Sequence, residues 1–154
     1  DLSNMCRPLG VPLIINDDVE LAAQVMAKGV HLGKHDADVA AARAKLGPNA
    51  IIGVSCYNDL DCAIAAEKAG ADYVAFGSFF PSRIKPGAVK ADVELLRQAK
   101  QRLSIPVVAI GGITADNGAQ LVEAGADMLA VITDVFGQAD ILGAAEKFTK
   151  LFEE

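Results

Sequence analysis

Six short runs of consecutive apolar residues mark the chain: Val11–Ile15, Gly29–Leu32, Ile51–Val54, Tyr73–Phe76, Val107–Ile110 and Met128–Ile132. They are continuous rather than alternating and rich in valine and isoleucine, the pattern of strands buried on both faces of a parallel sheet. Between them lie alanine-rich stretches that read as helices: Val19–Ala27, Val39–Leu46, Leu60–Ala69, Ala91–Arg102, Ala115–Ala124 and Ile141–Leu151. Asp18, Asn58 and Thr114 stand where side-chain oxygens cap helix starts. Several stretches end at glycine, which tolerates the left-handed conformation that closes a helix. Lys68-Ala-Gly-Ala-Asp72 and Glu123-Ala-Gly-Ala-Asp127 are near duplicates, each followed by an apolar strand, and Ala27-Lys-Gly29 is a looser version. The repeat has the scale of one βα unit.

Six successive βα units predict an α/β fold of TIM-barrel type, a single partial (β/α) barrel domain over residues 1–154, because eight units close such a barrel. The other arrangement open to six strands is an open or differently closed sheet. The chain starts at Asp1 on a polar segment that reads as a helix end, so the expectation is the carboxyl-terminal part of something longer. Strands at Val11 and Met128 would then carry open edges. A piece supplied from elsewhere, association of chains into a homo-oligomer, or a shortened protein would each answer that.

Composition narrows the function. The chain has 154 residues, enough for one domain with a buried core, and 52% of them are apolar. A formal charge of −6 argues against nucleic acid or an anionic membrane as partner, since both want basic patches. No apolar run is long enough to span a bilayer and no signal peptide is evident. Cys6, Cys56 and Cys62 are odd in number and lack metal-type spacing, which predicts a reducing cytoplasm.

The loops after the strands hold the chemistry, as the carboxyl ends of parallel strands do in α/β proteins. Asn16-Asp17-Asp18 follows the first strand and Asp36 follows the second. In a barrel, Asp17 and Asp36 would share one face and could hold Mg²⁺ with phosphate oxygens and water. Equally, Asp17 or Asp18 could cap the next helix and Asp36 could be a solvated loop acid; Asp18 is the better cap. His31 ends a strand, as a ligand contact or a core-edge histidine. Ser55 ends another, as a donor to phosphate or a turn cap, with no triad to make it a nucleophile. Lys85 lies in the loop Phe80-Pro-Ser-Arg-Ile-Lys-Pro86, where a lysine meets a ligand more readily than on a helix surface. Gly111-Gly112 and Ile132-Thr133 follow the last two strands, where barrels frequently bind phosphate. Bare glycine backbone lets an anion approach N–H groups, though a double glycine also suits a tight turn.

Together, Leu13-Ile-Ile-Asn-Asp-Asp18, Gly29-Val-His-Leu-Gly33 with Asp36, Ile52-Gly-Val-Ser55, Tyr73-Val-Ala-Phe-Gly77, Phe80-Pro-Ser-Arg-Ile-Lys-Pro86, Val108-Ala-Ile-Gly-Gly-Ile-Thr114 and Ala130-Val-Ile-Thr133 closely resemble the thiamine phosphate synthase family, in the family's order. The resemblance implies a TIM-barrel transferase of thiamine biosynthesis. It would join a hydroxymethylpyrimidine diphosphate to a thiazole phosphate and release diphosphate. It implies Mg²⁺ on Asp17 and Asp36; the pyrimidine diphosphate on Asn16, Ser55 and Lys85, with Ser55 and Lys85 serving the reaction; and His31 near the pyrimidine ring. Ser82, Gly112, Ile132 and Thr133 would hold the thiazole phosphate.

Two departures from the family pattern stand out. Threonines usually flank the residue before the loop lysine, and here those positions are Ser82 and Ile84. Ile84 cannot donate, so thiazole binding is expected to be weaker by about 1.5–3 kcal/mol. The family's first two βα units, with a glutamine and a lysine that grip diphosphate, have no counterpart here. The alternatives are a related thiazole tautomerase and a non-catalytic paralogue that binds thiazole or thiamine phosphate.

Overall fold

A computed structural model describes residues 2–33, 38–81 and 89–153. A short helix α1 (Leu2–Cys6) and a 3-10 turn (Arg7–Leu9) lead into β1 (Ile14–Asn16), α2 (Val19–Gln24), β2 (Gly29–Leu32), α3 (Val39–Leu46), β3 (Ile51–Tyr57), α4 (Leu60–Lys68) and β4 (Tyr73–Phe76). Then follow α5 (Val93–Arg102), β5 (Val107–Ile110), α6 (Ala115–Glu123), β6 (Met128–Ala130), α7 (Thr133–Phe136) and α8 (Ile141–Thr149), with a last 3-10 turn at Lys150–Phe152. The sheet takes its strands in chain order, β1 to β6. Pairing is parallel, with Ile14 opposite Gly29, His31 opposite Gly53, and Ala109 opposite Leu129. Six βα units so ordered are the TIM-barrel-type arrangement that the apolar runs predict.

Boundaries differ where local chemistry overrides the apolar pattern. β1 starts at Ile14 rather than Val11, because Pro12 has no N–H for the ladder and the Val11 N–H is spent on the Cys6 carbonyl (3.1 Å). β3 runs on to Tyr57, and β6 stops at Ala130 because Ile132 is already the cap of α7. Asp92 accepts from the Glu94 N–H, so α5 starts at Val93 rather than Ala91. Asn58 lies two residues before α4 and donates to the Lys90 carbonyl (3.4 Å).

Two compact units can be described separately: residues 1–56 with 61–74, and residues 57–60 with 75–154. In the first, Val30 and Leu32 of β2 and Ile52 and Val54 of β3 are fully buried, as are Ala22, Val39 and Ala42 of the helices. In the second, Leu96, Ala99, Val107, Ala109 and Leu121 form the core. Alanine on the helices keeps them close to the sheet.

The duplicated Ala-Gly-Ala-Asp turn is a register clasp within each unit. The Asp72 N–H donates to the Ile52 carbonyl (2.8 Å), while its carboxylate accepts from the Ile52 N–H (2.7 Å). Asp127 does the same with Val107, at 2.8 Å for both bonds. Gly70 and Gly125 turn left-handed, at φ 94° and 111°, to bring each aspartate back to the preceding strand. A cation braces each clasp. Arg43 donates to Asp72 (2.7 Å) and to the carbonyls of Gly70 and Ala50; Lys100 donates to Asp127 (2.8 Å). In the looser third copy Met26 occupies the glycine position, with φ 51°, and Lys28 replaces the aspartate.

Candidate active site

In the first unit the turn after β1 gives the two adjacent acids the separate roles expected of them. Asp17 adopts φ 62°, a left-handed conformation that aspartate tolerates better than most residues. Asp18 then caps α2, accepting from the Leu21 N–H at 2.8 Å. Asp17 remains exposed at the strand end. Its carboxylate accepts from the Asn16 side-chain amide (2.7 Å) and the Gly33 N–H (3.2 Å). A fixed, exposed carboxylate offers the hard oxygen that Mg²⁺ prefers, and one or two carboxylates with substrate phosphates suffice for that ion. Asp17 therefore fits the metal expected here. Among the described residues no three histidine, cysteine or acidic side chains cluster as a metal site. Asp36 lies outside the described residues.

Beside it, three side chains meet on one face of the sheet. His31 pairs across from Gly53, and Ser55 is two residues further along the same face of β3. The His31 Nε2 lies 2.8 Å from the Ser55 hydroxyl, and its Nδ1 lies 3.0 Å from the Tyr73 phenol. The His31 and Tyr73 rings are nearly parallel, tilted by 19° with centroids 5.6 Å apart. Gly53 makes room for this, since a Cβ there would run into the Tyr73 ring. Burial pushes the His31 imidazole below its ordinary pKa of 6.5, against an upward pull from the Asp17 charge. Burial raises the Tyr73 phenol from 10.0 to about 12. Both are thus neutral near pH 7, and the cluster offers uncharged hydrogen bonds.

In the second unit the two glycines after β5 take φ 104° and 63°. Both are needed for close approach. A Cβ on Gly111 would meet Ser78, and one on Gly112 would meet the Phe80 and Pro81 carbonyls. The segment following β4 therefore lies directly on the glycine pair, with the Phe80 N–H donating to the Gly111 carbonyl (3.0 Å). Asn117 fixes the turn from the helix side. Its amide donates to the Gly112 carbonyl (3.1 Å) and its oxygen accepts from the Thr114 N–H (2.8 Å). Thr114 and Asn117 together form a capping box at the start of α6. Ile132 is 57% exposed and caps α7, whose first residue is Thr133. The opening N–H groups of such a turn have no intrahelical acceptor and favour anions.

Thus Asn16, Asp17, His31 and Ser55 come together in one unit, and Gly112 stands beside the Ser78–Pro81 segment in the other. Ser82, Ile84 and Lys85 lie outside the described residues. From sequence Tyr73 reads only as part of a strand, and α7 gives no signal. The register that sets Tyr73 beside His31 is a tertiary fact. A four-residue helix is too short for any periodic signal.

A family model described as thiamine monophosphate synthase matches residues 1–135. The chain is 55% identical over 152 residues to a thiamine-phosphate synthase of Thiobacillus denitrificans, covering 99% of this chain and 72% of that protein. It is 59% identical over 151 residues to a thiamine-phosphate synthase of an Azoarcus species, covering 98% and 73%. Among solved structures it resembles thiamine phosphate pyrophosphorylase from Pyrococcus furiosus, with a TM-score of 0.86 and 39% identity over 97% of this chain and 71% of that one.

Proposed function

Because the chain belongs to the thiamine monophosphate synthase family, we propose that it transfers a hydroxymethylpyrimidine group from its diphosphate to a thiazole phosphate, giving thiamine phosphate and diphosphate. On this reading Asn16, Ser55 and Lys85 receive the pyrimidine diphosphate, Asp17 and Asp36 hold its Mg²⁺, and His31 lies near the ring. Ser82, Gly112, Ile132 and Thr133 receive the thiazole phosphate. The observation that carries the assignment is the strand-end cluster of Asn16, Asp17, His31 and Ser55, which supplies one fixed carboxylate and neutral donors.

That inventory suits the chemistry. Loss of diphosphate leaves a resonance-stabilised pyrimidine cation, and the thiazole nitrogen brings its own lone pair. Neither a general base nor a covalent nucleophile is required; the protein has to stabilise the departing charge and align the two partners. Mg²⁺, with Asp17 and Asp36 as its protein ligands, would supply charge neutralisation at the leaving diphosphate. Asn16 orients the Asp17 carboxylate, and the Gly33 N–H holds its other oxygen. Ser55 donates from a neutral hydroxyl, and Lys85 would add a positive charge at the leaving group. The cysteines are thiols, which fits a cytoplasmic enzyme, and no helix among the described residues is long and apolar enough to cross a membrane.

The test is a coupled assay for diphosphate release with both substrates and Mg²⁺. Thiamine phosphate and diphosphate are expected in equal amounts, and chelation should abolish both. Binding of either phosphate ligand without diphosphate release would overturn the transferase reading in favour of a binding paralogue. Turnover of the thiazole phosphate alone, indifferent to chelator, would favour a tautomerase.

A further inference from the structure

Tyr73, His31 and Ser55 form a chain of three hydrogen-bonding groups whose direction can be worked out. A neutral imidazole donates through one ring nitrogen and accepts through the other, and both nitrogens of His31 have a hydroxyl partner. If Nδ1 carries the proton, it donates to the Tyr73 oxygen and Nε2 accepts from Ser55. The phenol proton then has no acceptor among the described residues, and the Ser55 proton is used up inside the protein. If Nε2 carries the proton, the phenol donates to Nδ1 (3.0 Å) and Nε2–H donates to the Ser55 oxygen (2.8 Å). The unspent proton then sits on Ser55, at the end of the cluster nearest the strand tips. An unspent donor costs most where water is least available. The Tyr73 phenol, stacked on His31 and lying across Gly53, is in the desolvated position. The second arrangement is favoured.

We propose that Tyr73 is a positioning residue: by donating to His31 Nδ1 it holds the imidazole in the Nε2–H tautomer, which turns the Ser55 hydroxyl proton outward to donate to a phosphate oxygen of the pyrimidine diphosphate. The proposal rests on the transferase reading for the identity of the acceptor, but the hydrogen-bond direction is a property of the protein alone. It also gives Gly53 a reason: any side chain there would push the Tyr73 ring away from His31.

The experiment has two arms. In the first, ¹⁵N NMR of the imidazole nitrogens at neutral pH, without ligand, reads the tautomer. The native protein should show a protonated Nε2 and a bare Nδ1, and Tyr73→Phe, which keeps the ring over Gly53, should shift His31 toward Nδ1–H. In the second, inorganic diphosphate with Mg²⁺ is titrated calorimetrically into the native protein, Tyr73→Phe, Ser55→Ala and the double variant. Tyr73→Phe should weaken binding roughly tenfold in the native background, in line with a hydrogen bond to a charged group. In the Ser55→Ala background it should change binding less than about twofold, since coupled residues are non-additive. A generally loosened fold would lower affinity equally in both backgrounds. An Nδ1–H tautomer in the native protein, or equal Tyr73→Phe effects with and without Ser55, overturns the proposal. A protein with the expected tautomer and coupled diphosphate binding but no synthase turnover would refute the transferase reading while supporting the relay.

Discussion

Removing the Asp127 carboxylate separates two contributions that the clasp combines. Its Oδ2 accepts from the Val107 N–H at 2.8 Å, and Val107 is fully buried. The same carboxylate pairs with Lys100, at 41% and 36% side-chain exposure. Asp127→Ala leaves a buried N–H with no acceptor, a cost of about 1–3 kcal/mol. The lost ion pair adds only about 0.2–1 kcal/mol, because both partners are partly solvated. The total is about 1–4 kcal/mol, or roughly 2–16 °C in melting temperature for a chain of this size. Lys100→Met removes the ion pair alone and should cost less than about 1 kcal/mol. Asp127→Asn, which retains an acceptor oxygen, should resemble Lys100→Met. Urea denaturation gives these differences as shifts in midpoint at constant slope, and the Val107 amide should lose hydrogen-exchange protection only in Asp127→Ala. If Lys100→Met destabilises as much as Asp127→Ala, the charge pair dominates and the hydrogen-bond reasoning is wrong.

Other outcomes follow from the same geometry. Arg43→Met should cost more than Lys100→Met, because Arg43 also holds the Gly70 and Ala50 carbonyls; parallel urea titrations compare them. Met26→Gly relieves a left-handed backbone worth about 1–2 kcal/mol, offset by about 0.4–1 kcal/mol of unfolded-state entropy, so a small rise in midpoint is expected. Asp18→Ala should destabilise by about 1 kcal/mol through its cap yet leave the Mg²⁺ requirement unchanged. Asp17→Asn should instead raise the Mg²⁺ concentration needed for turnover, with little effect on melting. Tyr73 titrates at about 12 when folded against 10.0 in the free side chain. The folded state therefore holds that proton more tightly; its contribution is complete below pH 10 and is lost as pH rises through 12. Tyr73→Phe should remove that loss, and with it the late phenolate absorbance step.

How far the chain could be read in advance follows from how local each signal is. β2, β4, β5 and α3 fall where their apolar runs and flanking residues put them, because a strand buried on both faces needs no partner to be recognised. The division of labour between Asp17 and Asp18 was also legible, since an N-cap is a relation among residues three apart. The tandem glycines left two readings open, and both apply in part: they turn the chain, and they admit the Ser78–Pro81 segment. What escaped were relations between strands. That Asp72 and Asp127 hold the strands before them, or that a tyrosine on β4 orients a histidine on β2, depends on register, which a one-residue slip would reverse. The fate of Ser55 as cap or ligand donor was likewise undecidable without knowing that His31 stands 2.8 Å away.

Both aspartate clasps reach back twenty residues along the chain. At these two places the alignment of one strand on the next is therefore stitched within a single βα repeat. A module so tailored is portable. Placing glycine at Met26 and aspartate at Lys28 would install the same stitch a third time, and the backbone already makes its first bond there, from the Lys28 N–H to the Leu13 carbonyl. Proteins assembled from such self-aligning pieces can gain, lose or exchange modules without re-registering those that remain.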